Sequence, residues 1–276
     1  MISVDELVGL LALERVGPDQ YRADSLLMGH DVVFGGQVLA QSIVAALDGQ
    51  EDKLVKTVHT VFARSASTKE ALDIAVDVMH NGRSLASAAV TISQQGRLCT
   101  RSLVLLSGDE PDLIRHADPS PAVPLPAEEA SGSPAREWAV QVVGDVDIND
   151  PDAVGPPELD VWTRFPGAPE GPGINQALLS FATDGFLIGT AMRPHKGVGQ
   201  AQAHRTISTG VLTHTLTFHE PFSAGEWLLL SHRSPYAGHG RSYGSAGIYR
   251  SDGQLVASFV QDNMIRTKAA QSRSAL

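Results

Sequence analysis

Residues 82–93 read Gly-Arg-Ser-Leu-Ala-Ser-Ala-Ala-Val-Thr-Ile-Ser, and residues 240–251 read Gly-Arg-Ser-Tyr-Gly-Ser-Ala-Gly-Ile-Tyr-Arg-Ser. Six of these 12 aligned positions are identical without a gap, where average residue frequencies give roughly one. The correspondence extends both ways. Gly96-Arg97-Leu98 answers Gly253-Gln254-Leu255, each opening an alternating apolar run, and His59-Thr60-Val61 answers His214-Thr215-Leu216 upstream. A spacing near 155 residues is longer than the ~20–50-residue period of solenoid units. It indicates a duplicated domain, with a functional site expected between unequal halves.

Each half repeats one order of elements. In the first, Ser3 and Glu6 have capping-box spacing and Leu7, Leu10 and Leu11 share a face, which predicts a helix over 3–14. A strand near Tyr21–Met28 follows. Val33–Leu47 reads as a helix with Leu39, Ile43 and Leu47 at i, i+4, i+8 and further apolar residues on its other faces, so it is expected to be enclosed. Strands follow at about 54–64, 71–80, 84–94 and 97–106, with Asn81-Gly82 as a tight-turn dipeptide that favours antiparallel hairpins. Residues 111–135 form a Pro-rich linker, with Pro111, Pro119, Pro121, Pro124, Pro126 and Pro134 among small and acidic residues. The second half, 136–276, opens near Trp138–Val143 and gives an enclosed helix over Ile174–Ile188. Strands are then expected near 208–219, 226–235, 241–251 and 254–266. Residues 1–110 and 136–276 are thus two domains of one α+β plan, a long helix wrapped by an antiparallel sheet.

Composition narrows the function. The 31 acidic and 21 basic residues give a net charge of −10, which argues against a nucleic-acid partner but leaves room for a small anionic ligand held by a few arginines. No apolar run of about 18 residues predicts a membrane span. The N-terminus lacks the basic start and apolar stretch of a secretion signal, and the one cysteine, Cys99, excludes an internal disulfide framework and a cysteine-based zinc site. A cytoplasmic protein is the expectation.

The chain resembles the acyl-CoA thioesterase II family along its whole length. The matching pieces are Val33-Phe34-Gly35-Gly36-Gln37-Val38 with Gln41, His59–Arg64, Gly82-Arg83-Ser84, Ala182-Thr183-Asp184, Phe218-His219-Glu220-Pro221-Phe222 with Glu226–Leu229, and Val256–Gln261. The resemblance implies two tandem hotdog domains paired as a pseudo-dimer, and hydrolysis of acyl-CoA without metal or other cofactor. It carries the water-orienting Asp over to Asp184 and the Gln to Gln261. Val211 stands where a hydroxyl is expected, and period-two alternation puts Thr209 and Thr213 on its strand face as replacements. The resemblance also places the Gly35-Gly36 helix start beside the thioester carbonyl, where backbone N–H groups stabilise an oxyanion, and makes Gln37 and Gln41 substrate contacts. Arg83 and Arg241, with Arg64, are candidate contacts for the coenzyme's phosphates.

The residues themselves support the two central assignments. An Asp within Phe181-Ala182-Thr183-Asp184-Gly185-Phe186 lies in an enclosed helix, where Asp is rarely found without partners and desolvation raises its pKa. Gln261 interrupts the apolar strand face of Leu255, Ala257 and Phe259, and an amide can donate and accept at once. Gln41 is aligned with Asp184 in the first half and cannot act as a base, so one active site per chain is expected. Two other chemistries fit less well. Gly240-Arg241-Ser242-Tyr243-Gly244 matches the G-x-S-x-G nucleophile elbow, but a strand-like run follows it and no histidine lies beyond His239. A related hydratase would carry a histidine five residues after Asp184, where Gly189 stands. The remaining alternative is an acyl-CoA-binding or sensing protein with little turnover. Helix-free sheet faces favour a homo-oligomer, while a pseudo-dimeric chain can also remain alone.

Overall fold

The computed structural model of the chain describes residues 2–29, 31–50, 52–126, 136–144, 146–203 and 205–268. Its elements are, in order, helix α1 (Val4–Leu11), strands β1 (Glu14–Gly17) and β2 (Gln20–Ala23), helix α2 (Gly35–Leu47), and strands β3 (Leu54–Phe62), β4 (Leu72–Asn81), β5 (Leu85–Gln94) and β6 (Arg97–Ser107). The second half adds β7 (Ala139–Val142), β8 (Glu158–Arg164), helices α3 (Pro172–Thr183) and α4 (Leu187–Met192), then β9 (Ile207–Phe218), β10 (Leu228–Gly238), β11 (Arg241–Arg250) and β12 (Leu255–Thr267). The two expected helix-and-sheet units are present.

The twelve strands of the described residues join in one antiparallel sheet, ordered β1-β2-β4-β5-β6-β3-β9-β12-β11-β10-β8-β7. The order is symmetric about the β3–β9 seam, so the sequence repeat becomes a spatial pseudo-two-fold. At the seam the two copies of the His-Thr pair meet, His59 opposite Thr215 and Thr60 opposite His214. His59 Nδ1 lies 2.7 Å from Thr215 Oγ1. Alternation does what it predicts in β5, where Ala86, Ala88, Val90, Ile92 and Gln94 are buried and the intervening residues are not. The second copy of the repeated motif opens at a hairpin in which His239 and Gly240 both take positive φ, 53° and 72°, the geometry that suits a two-residue turn. Strand β11 follows directly, so Ser242 is a strand residue and not a nucleophile on an elbow.

Helices α2 and α3 cross on the inner face with opposite polarity. A β-carbon at Gly36, at the start of α2, would lie 2.2 Å from the carbonyl oxygen of Phe181 near the end of α3, and one at Gly173 would lie 2.9 Å from Leu47 Cδ1. The expected helix over 174–188 is two helices. Asp184 is the C-cap of α3, and the chain turns through Gly185 and Phe186 before α4 begins. The strand expected over Tyr21–Met28 ends at Ala23, and β1 and β8 lie outside the strands read from the sequence. Residues 108–126 contain no helix or strand, and Pro124 there accepts a hydrogen bond from Trp162 Nε1 at 2.9 Å. The rest of the Pro-rich segment, 127–135, lies outside the described residues.

Candidate active site

Asp184 and Gln261 meet where three elements converge. The carboxylate projects from the end of α3 toward the start of α2, and a β-carbon at Gly35 would lie 2.6 Å from Asp184 Oδ2. Only glycine leaves that approach open. Burial pushes the Asp184 pKa up from 3.8 to about 7, and a backbone hydrogen bond from Gly36 partly offsets the shift. Gln261 reaches it from β12, with Nε2 3.3 Å from Asp184 Oδ1.

A directional chain of hydrogen bonds orients the amide. Thr183 Oγ1 donates to the carbonyl of Ser180 at 2.7 Å, so its contact with His214 Nε2 at 3.1 Å is one in which the imidazole donates. The other ring nitrogen, Nδ1, is then the acceptor, and Gln261 Nε2 lies 2.7 Å from it. The imidazole is wholly buried, and desolvation lowers its pKa to about 3, so it holds this neutral tautomer throughout the neutral range. With its N–H groups directed to His214 and Asp184, the Gln261 amide leaves Oε1 as a buried acceptor with no partner among the described residues. Phe259 stacks on His214 at 5.2 Å between ring centroids and His232 packs edge-on against Phe259 at 5.8 Å, so aromatic packing fixes the plane of the orienting imidazole.

The remaining sequence candidates separate. A bulge corrects the alternation read along β9: Asp262 pairs with Thr213 but Asn263 pairs with Val211, leaving Leu212 as the extra residue. Val211 and buried Thr209 therefore share the inner face with His214. Thr213 turns outward, where its hydroxyl donates to Asp262 Oδ2 at 2.9 Å. Gln37 and Gln41 are buried but bound to backbone. Gln37 accepts from Leu26 N–H at 2.9 Å and donates to Asp24 O at 3.0 Å, and Gln41 donates to Leu10 O at 3.2 Å and Asp24 O at 3.3 Å. They tie α2 to α1 and to the segment after β2, and their hydrogen bonds go to neither Asp184 nor Gln261. Arg83 and Arg241 are exposed beside the two copies of the hairpin, and Arg241 donates to the Gly240 carbonyl at 2.9 Å.

The pseudo-two-fold also corrects the alignment of Gln41 with Asp184. Since α2 and α3 cross with their ends exchanged, the mate of the α3 C-cap is the α2 C-cap, Asp48. Asp48 is bound by Arg15 and the Tyr21 hydroxyl, and burial with the Asp48 hydrogen bond pushes the Tyr21 pKa up to about 12. A cavity of about 580 Å³ lies here, lined by residues including Leu11, Arg15, Val44, Asp48 and Ile174. The mate position thus keeps space and a carboxylate, but its carboxylate is committed to a cation, whereas Asp184 has none among the described residues.

Residues missed from sequence lie on the same inner face: His214 as the orienting group, and Asn263 and Ser242, each 1% exposed. Period-two spacing from Gln261 was a usable signal for Asn263.

Comparison with known proteins agrees with this geometry. The family profile described as the acyl-CoA thioesterase C-terminal domain matches residues 117–265, and that of the acyl-CoA thioesterase N-terminal domain matches residues 23–107. The chain is 27% identical over 287 residues to acyl-CoA thioesterase 2 of Haemophilus influenzae, covering 95% of this chain and 98% of that protein. It is 26% identical over 296 residues to human acyl-coenzyme A thioesterase 8, covering 97% and 91%. The crystal structure of acyl-CoA thioesterase II TesB2 from Mycobacterium marinum superposes with a TM-score of 0.80 at 26% identity, covering 96% of this chain and 98% of that one. By its two matched halves, its hotdog sheet and its full-length relatives, the chain belongs to the acyl-CoA thioesterase II family.

Proposed function

We propose that the protein hydrolyses acyl-CoA to a free carboxylic acid and CoA with Asp184 as the general base and Gln261 as the water-positioning partner. One observation carries this reading: a half-buried carboxylate with a pKa pushed up to about 7 by desolvation sits 3.3 Å from an amide whose Oε1 has no partner among the described residues. A water between them gives one proton to the Asp184 carboxylate and one hydrogen bond to Gln261 Oε1, and directs its lone pair at the thioester carbon. A base with a pKa near the working pH is both ionised and strong enough to accept that proton. The negative charge that develops on the carbonyl oxygen faces the first turn of α2, where the Gly35 amide lacks an intrahelical acceptor. Collapse of the tetrahedral species breaks the carbon–sulfur bond, and the thiolate leaves with the proton returned from Asp184.

Thr209, buried on the face of Val211, is the better placed of the two hydroxyl candidates. The alternative is acyl-CoA binding without turnover, which the apolar Val211 favours. A cytoplasmic setting fits the free, buried Cys99. A homo-oligomer fits the outer sheet face, where Val61, Leu103 and Leu105 are exposed. A free-thiol assay over a panel of acyl-CoA chain lengths tests the activity: CoA release abolished by Asp184→Asn with binding retained supports it, and binding with no release at any chain length by the native chain overturns it.

A further inference from the structure

Buried amides in this fold are, with few exceptions, fully employed. Gln94 holds Ser67 and Glu70 backbone through three hydrogen bonds, Gln176 clamps both backbone groups of Val55, and Asn175 joins Gly171 to Ala224. Asn263 does none of this. It is 1% exposed, yet neither its Oδ1 nor its Nδ2 has a partner among the described residues. Ser242, directly opposite it in the β11–β12 register, is equally buried with a partnerless Oγ. Two residues back on the same face of β12 is Gln261, with its own unpartnered Oε1. Buried polar groups are normally paired, so four unsatisfied atoms in one strip mark a place built for something that binds.

The chemistry of the strip defines what it takes. It is neutral, it contains both donors and acceptors, and apolar groups bound it: Val211 pairs with Asn263 from β9, and Leu187 of α4 packs where a β-carbon of Gly244, the partner of Gln261 on β11, would be. A carboxylate or ammonium has no counter-charge in this set. A hydroxyl both donates and accepts, and satisfies Asn263 Oδ1 and either Asn263 Nδ2 or Ser242 Oγ together. Gln261 and Asn263 are about 7 Å apart along the strand, so the group recognised lies on the substrate close to the thioester.

We infer that Asn263 and Ser242 form a specificity subsite for an acyl chain bearing a hydroxyl within its first few carbons, and that hydroxyacyl-CoA thioesters are preferred over unsubstituted ones. The inference rests on the hydrolase reading above. A site with buried hydrogen-bonding groups rejects an analogue lacking the matching hydroxyl because those groups are then left unpaired. The test is the ratio of kcat/KM for 3-hydroxydodecanoyl-CoA to that for dodecanoyl-CoA. The native chain is expected to favour the hydroxylated ester by about 10-fold or more, and Asn263→Leu and the milder Ser242→Ala to bring the ratio toward one. A native ratio near one, or a ratio unmoved in both variants, overturns the inference while leaving hydrolysis intact. If no ester is turned over, the hydrolase reading fails instead, and the ratio of the two dissociation constants in the same three proteins decides the subsite by the same criterion.

Discussion

Gly36 rests directly on the carbonyl oxygen of Phe181, so closely that a β-carbon there would lie 2.2 Å away. This contact sets the spacing of the two central helices and brings the Gly36 amide to Asp184. Gly36→Ala is expected to force the helices apart, with a loss of about 1–3 kcal/mol in unfolding free energy and a disproportionate loss of kcat. Denaturant titration beside steady-state kinetics checks both. Unaltered kcat in a folded variant contradicts the arrangement.

Asp184→Asn is expected to lower kcat by about 10²–10⁴-fold. In the native chain kcat/KM should rise with pH and reach half its plateau near pH 7, the value burial imposes on Asp184. Stability moves the opposite way. With a folded pKa above the ordinary 3.8, the carboxyl's contribution is fully present below about pH 4 and is lost as pH rises through about 7, by roughly 4 kcal/mol. The Asn variant should therefore gain thermal stability over the native protein at pH 8 and little at pH 4. Equal melting shifts at both values would remove the charge from its buried position.

The buried imidazoles supply the acid limb. His214 and His232 are held at about 3 and about 4, below the ordinary 6.5, chiefly by desolvation. Their contribution is complete above pH 6.5 and is lost as pH falls toward 4, where the unfolded chain takes up protons that the folded chain refuses. His232→Leu should flatten the fall of unfolding free energy between pH 6.5 and 4, as read by urea titration at stepped pH.

His214→Phe keeps the stack on Phe259 but removes the acceptor for Gln261 and the donor to Thr183. The amide is then free to turn, and kcat should drop about 10-fold or more, with a cost of about 1–3 kcal/mol from the unpaired Thr183 and Gln261 groups. Gln41→Ala should behave differently, losing stability through its bonds to Leu10 and Asp24 while KM stays put. A KM rise in Gln41→Ala would return that residue to the substrate.

The fold was legible because a duplicated motif and period-two alternation are both local signals, and each maps onto one strand or one helix. What escaped is geometry that sequence periodicity does not record. The extra residue at Leu212 reverses the facing of Thr213, and the cap at Asp184 ends a helix whose apolar pattern runs on. Asp184 and Gln261 stood out as polar residues in apolar surroundings. Asn263 stood in the same pattern without being read. The role of His214 depends on which of its ring nitrogens faces which neighbour, and only three-dimensional placement fixes that.

The seam between β3 and β9 also changes what evolution can do with the molecule. In a dimer of identical subunits any substitution appears in both copies, so a hydrolytic carboxylate cannot be disarmed at one position and kept at the other. Joining the copies in one polypeptide removes that coupling. Asp48 could acquire its arginine while Asp184 stayed without one, and each half became free to specialise on the scaffold they share.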